Sequence, residues 1–199
     1  SNSGNFIPST GNIVFDGATQ TLVKTSGTEQ IYKLTCSSSN RITLGGNISI
    51  SSNLTFTSGI IVTGSNVIAM YPVGITVTGA SSTNYVDGYL RKGFDNSNKI
   101  KTFEVGSNSK YTPITVSFIP TITAGFISVI AFDGDHPSVN STCLNSTKSV
   151  NRYWNIVNNN IPGSPTYTAT FTYSPAVTDA GATPANFGMS IYNGSSWTP

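Results

Sequence analysis

The sequence predicts an all-β fold, with a short solenoid-like or meandering N-terminal half packed on a C-terminal antiparallel β-sandwich. Three observations carry this expectation. Short β-branched runs bounded by Gly, Asn and Ser recur along the whole chain, while apolar spacing of helical period is hard to find. Charged residues make up only 9% of the 199 residues, against roughly 25% in an average domain. The remainder is rich in Thr, Asn and Ser, with 10 Phe and 9 Tyr and a net charge of +2, a composition that favours strands over disorder.

From Ile13 to Val77 the apolar runs are brief and closely spaced. They fall at Ile13 to Phe15, Thr21 to Val23, Ile31 to Leu34, Ile42 to Leu44, Ile48 to Ile50, Leu54 to Phe56, Ile60 to Val62, Val67 to Met70 and Ile75 to Val77. Turns are expected at Gly45-Gly46-Asn47, at Ser58-Gly59 and from Thr63 to Asn66. Ser-Gly-Ile and Thr-Gly-Ser echoes suggest a degenerate repeat, although no fixed period survives counting. The stretch from Gly79 to Gly93 reads as a joint of small and polar residues, leading into a basic turn with Arg91, Lys92, Lys99 and Lys101. Longer strands follow at Ile100 to Val105, Ile114 to Phe118, Phe126 to Phe132, Val150 to Val157 and Phe187 to Tyr192. Tyr167, Ala169, Phe171 and Tyr173 alternate with Thr168, Thr170 and Thr172, the pattern of a half-buried antiparallel strand. Residues 1–92 are therefore expected to form the short-strand region and residues 93–199 the sandwich, joined as one structural unit.

Composition also narrows the partners. The sparse basic cluster lacks the dense positive face and interleaved aromatics that nucleic acid requires. No apolar stretch is long enough for a membrane helix. Ser1 to Gly11 lacks the basic start and apolar run of a signal peptide, so the chain reads as mature or excised material. Cys36 and Cys143 are the only cysteines, and with a single histidine they are too few for a zinc site; a disulfide between them is the expected pairing, with two buried free thiols the alternative.

Little in the chain suggests catalysis. His136 is the only histidine, and Asp133 or Asp135 would have to orient it in any Ser-His-Asp site, yet no nucleophile elbow is present. The segment Asp133-Gly134-Asp135-His136-Pro137 reads better as a turn, with Asp133 and Asp135 as weak calcium candidates. No cofactor is expected. Trp154 is expected in the core, and Trp197 either caps the core or stacks on a neighbouring unit. Together with the tyrosines, these rings could also offer flat platforms to sugars.

Several motifs in order resemble a β domain repeated in very large secreted surface proteins of Bacteroidota-type bacteria, many of them type IX secretion cargo. They are FIPSTGNIVFDG at 6–17, LTFTSGIIVTGSN at 54–66, GASSTNYVDGYLRK at 79–92, FEVG at 103–106 and YTPI at 111–114. The closing half adds GDHP at 134–137, KSVNRYW at 148–154, TDAG at 178–181 and YNGSSW at 192–197. The resemblance covers nearly the whole chain, which departs from the pattern in its cysteine pair and in standing as a single copy. It implies an exported, non-enzymatic, extracellular unit of a cell-surface fibre or stalk. Expected partners are copies of the chain or neighbouring repeats, and surface glycans, the alternative function being a carbohydrate-binding module. Low charge leaves strand edges open to β-strand addition. Phe6, Ile13, Phe15 and Trp197 are the candidate assembly residues, with Asn5 to Phe15 as a donated strand or, alternatively, an ordinary first strand.

Overall fold

A computed structural model describes residues 9–18, 20–24, 26–163 and 165–199. It is all-β, with about four coils of a parallel β-solenoid running into antiparallel sheets. The first strands are β1 (Asn12–Phe15), β2 (Gln20–Leu22), β3 (Thr28–Leu44), β4 (Asn47–Met70) and β5 (Thr76–Thr78). β6 (Tyr85–Phe94) follows, then β7 (Ile100–Phe103), β8 (Val105–Ser107) and β9 (Lys110–Tyr111).

Each coil has three sides, and in-register parallel pairing stacks like on like. On the first side Ile13, Leu34, Leu54 and Val77 form one column, and Phe15, Cys36 and Phe56 the next. The second side stacks Ile42, Ile61, Val86 and Val105, all fully buried. The third side carries Ile31, Ile50, Ile68 and Leu90 inward, and the Tyr71 amide donates to the Ile50 carbonyl one coil below. This is why runs of three or four residues suffice: each buries every second side chain in the shared interior, and the coils above and below satisfy its backbone.

The expected turns at Ser58-Gly59 and from Thr63 to Asn66 are corners inside the single strand β4. Gly59 sits at φ +95°, and a Cβ there would meet the Ser38 carbonyl at 2.4 Å. At the second corner the pairing with β6 slips between Val62 and Val67. The Thr63 hydroxyl, with Thr63 fully buried, fills the gap by accepting from the Tyr89 amide at 2.9 Å. That contact needs a glycine at 88, whose Cβ would otherwise lie 1.9 Å from Thr63 Oγ1 at φ +136°.

The stretch from Gly79 to Gly93 holds β6, along which parallel coil pairing gives way to antiparallel pairing. One edge of β6 pairs parallel with β4; along the other, Val86 and Asp87 pair parallel with β8 and Leu90 to Phe94 pair antiparallel with β11 (Gly125–Asp133), which in turn pairs with β12 (Arg152–Asn159). Arg91 and Lys92 therefore stand in a central strand. Lys92 is buried rather than solvated in a turn. A second sheet, β13 (Tyr167–Phe171) with β10 (Ile114–Phe118) and β7, faces the first. Its alternation matches the sequence reading, with Ala169 and Phe171 packed on the core. Between the sheets the Phe94 ring lies 6.2 Å from that of Phe103 and meets Phe118 edge-on at 5.0 Å. One contiguous core runs from Phe15 to Ile161. The expected strand from Phe187 to Tyr192 shrinks to β14 (Ile191–Tyr192), paired with β15 (Trp197–Thr198), and follows a one-turn 3-10 segment from Pro184 to Asn186.

Candidate functional site

The candidate assembly residues divide between core and surface. β1 ends the ten-stranded sheet, and among the described residues its only strand partner is β3. Phe15 is buried and Ile13 packs against the core, so both serve the first coil, while Val14 points outward at 45% exposure. Phe6 lies outside the described residues. β12 ends the same sheet at the far side, with β11 its only described partner. Trp197 takes no part in the main core. Its ring packs 4.9 Å from His136 and from Tyr192, and its indole N–H donates to the Ser138 carbonyl at 3.1 Å. Trp154 does pack against the core, donating to the Thr112 carbonyl at 2.9 Å with its ring 4.7 Å from Phe171.

The end of β11 and the loop after it hold the predicted acids, each turned to a different partner. Asp133 pairs with the buried Arg152 and accepts from the Asn108 amide. Asp135 accepts from the Ser149 hydroxyl at 2.5 Å. His136 Nδ1 accepts from the Ser138 backbone amide at 3.1 Å, and the ring is enclosed by Tyr153, Tyr192 and Trp197. No hydrogen bond joins His136 to either aspartate, so the three groups do not form the relay of a hydrolase triad. No group of three or more His, Cys, Asp or Glu gathers among the described residues. Asp179 organises the neighbouring loop. Its carboxylate accepts from the Ser149 amide and the Asn151 side chain, and these bonds hold its pKa below the usual carboxylate range.

The expected disulfide is not formed. Cys36 is fully buried in the first-side column, where its thiol donates to the Ser58 carbonyl at 3.1 Å and burial pushes its pKa up. Cys143 is an exposed free thiol in the loop after the 3-10 segment Val139–Ser141. A side chain committed to the interior of the coil is not free to reach a surface loop.

Two further features escaped the sequence reading. Lys92 Nζ donates to Glu104 Oε2 and to the Thr102 carbonyl, both at 2.6 Å, while burial lowers its pKa against the opposing pull of Glu104. Above it, on the outward face of the same sheet, Arg91 Nε donates to Ser128 Oγ at 2.9 Å, and Ser128 donates on to Asn159 Oδ1 at 2.6 Å. These side chains line a shallow depression of about 130 Å³ with Ser65, Val67, Tyr89 and Val157. The local signal was an arginine at the outward position of an alternating strand, hidden because that strand read as a joint. No family model, curated protein or solved structure matches this chain.

Proposed function

We propose that this chain is a non-enzymatic structural or adhesive unit of an extracellular surface fibre or stalk, joined to copies of itself or to neighbouring repeats by strand addition at its sheet edges. The observation that carries the reading is the sheet itself. A single hydrogen-bonded surface runs from β1 to β12 over one contiguous core, and at each end it stops on a strand with one described partner. Such ends favour a neighbour that continues the ladder. A repeated rigid β body then sets the spacing of whatever it displays. The loops suit this role in a further way: their carboxylates are occupied by Arg152, Ser149 and Asn151, which leaves shape and edges as the working parts.

Sedimentation velocity and negative-stain microscopy of the full chain test the proposal. End-to-end association that rises with concentration is expected, and under the donated-strand version deletion of residues 1–10 should abolish it. A monomer at every concentration would overturn self-assembly. Filaments persisting after the deletion would reject the donated-strand version.

A further inference from the structure

We propose that the depression around Arg91 binds a carboxylated sugar, one hexuronate residue of an acidic polysaccharide. The proposal deepens the adhesive reading, but it concerns a face of the single chain and does not require assembly. Four neighbouring strands build the site. Val67 comes from β4, Tyr89 and Arg91 from β6, Ser128 from β11, and Val157 and Asn159 from β12.

Arg91 is the carrier of the argument. The chain has three arginines; Arg41 is paired with Asp87 and Arg152 with Asp133, whereas Arg91 has no carboxylate partner among the described residues. Its single bond goes through Nε to Ser128, itself only 3% exposed. Ser128 Oγ accepts the Arg91 Nε–H hydrogen bond and donates its own hydroxyl hydrogen bond to Asn159 Oδ1. The direction of the relay is therefore settled from end to end. It holds the guanidinium plane still, leaves both terminal nitrogens available, and turns the Asn159 amide into a free donor. A guanidinium fixed in this way offers two parallel N–H bonds to a planar carboxylate, with little ordering left to lose on binding.

The surroundings select the rest of the ligand. Ser65, Val67, Tyr89, Ser128, Val157 and Asn159 include no acid that would compensate or repel. They also include no second cation, since Lys92, next along the strand, points into the core. A lone positive charge matches a monoanionic carboxylate better than a phosphate dianion. The half-buried Tyr89 ring, with Val67 and Val157, supplies the apolar surface on which the C–H face of a sugar ring rests. The depression is shallow and open and touches only one face of a sugar residue, so affinity for one residue is weak, and useful strength comes from repetition along polymer and fibre.

The test is an NMR titration of the full chain, at concentrations where sedimentation shows monomer, with tetrameric oligomers of galacturonate, glucuronate and mannuronate. The control is each tetramer with its carboxyls reduced to alcohols. We expect shifts centred on Tyr89, Arg91 and Asn159 for at least one acidic tetramer, and binding at least about tenfold weaker for its reduced form. Arg91→Gln should lose that discrimination, Arg91→Lys should recover part of it, and about 0.5 M salt should weaken it. Unchanged melting of both variants excludes misfolding. The proposal is overturned if the reduced tetramer binds equally, if Arg91→Gln binds as wild type, or if no hexuronate binds up to about 20 mM. Equal binding of a poly-glutamate peptide would assign the site to protein carboxylates instead of sugars. Assembly of Arg91→Gln is measured alongside, so failure of the fibre reading and failure of this one give different results.

Discussion

Matched truncations at Ile61 and Ile114 ask whether coil and sandwich unfold as one body. Both side chains are fully buried, Ile61 in the second-side column of the solenoid and Ile114 in the central strand of the smaller sheet. Cutting either to alanine removes the same atoms and leaves a cavity, at a cost of about 3.5 kcal/mol. A chain of 199 residues has an unfolding entropy of about 0.4 kcal/mol/K near its midpoint, so each variant should melt about 8 °C lower. Both tryptophans, Trp154 and Trp197, lie in the C-terminal half, so their fluorescence reports the sandwich while far-UV circular dichroism reports every strand. Because one core joins Phe15 to Ile161, Ile61→Ala should move the fluorescence midpoint as far as the dichroism midpoint, and as far as Ile114→Ala does. A fluorescence transition left in place by Ile61→Ala would refute the reasoning and make the two halves separate folding units.

Two other perturbations follow from buried groups. Glu104→Gln removes the partner of Lys92, which is 4% exposed; denaturant titration should show a loss of about 3–5 kcal/mol, with most of it regained in the Lys92→Met, Glu104→Gln double variant. Burial lowers the folded pKa of Lys92, so the unfolded chain holds that proton more tightly, and stability gains a contribution that rises with pH from the lowered value up to about 10.4. Without Glu104 this rise should begin at lower pH. Tyr111, pushed up to about 12 by burial and then by the Glu104 charge, acts in the opposite sense. Its contribution is whole below about pH 10 and lost toward the folded value, and Tyr111→Phe separates the two. Thiol labelling gives the last outcome. One cysteine, Cys143, should react in the native chain and Cys36 only after unfolding, with a melting temperature that reductant leaves unchanged; a single refractory pair would restore the disulfide.

The strands that were legible in the sequence are those whose pattern is local. Ile114 to Phe118 and Tyr167 to Phe171 alternate because one face of each meets the core, and the short runs from Ile13 to Val77 are the sides of successive coils. The coil length was not legible because it varies: Thr28 pairs with Asn47, Asn12 with Lys33, and Ile60 with Tyr85. Parallel pairing fixes which residues stack, while the corners between them can lengthen freely. β6 was hidden for a related reason. Asp87, Gly88, Arg91 and Lys92 resemble a polar joint until Arg41, Thr63, Ser128 and Glu104 arrive from elsewhere in the chain to meet them. Composition and periodicity by themselves therefore determined that the chain spends its backbone on strands. Only the tertiary structure decided which polar side chains are buried in pairs, which cysteine lies inside the coil, and that Arg91 alone among the arginines faces outward without a carboxylate. Strand periodicity is written in neighbours two residues apart, whereas the environment of a charge depends on groups brought from distant coils.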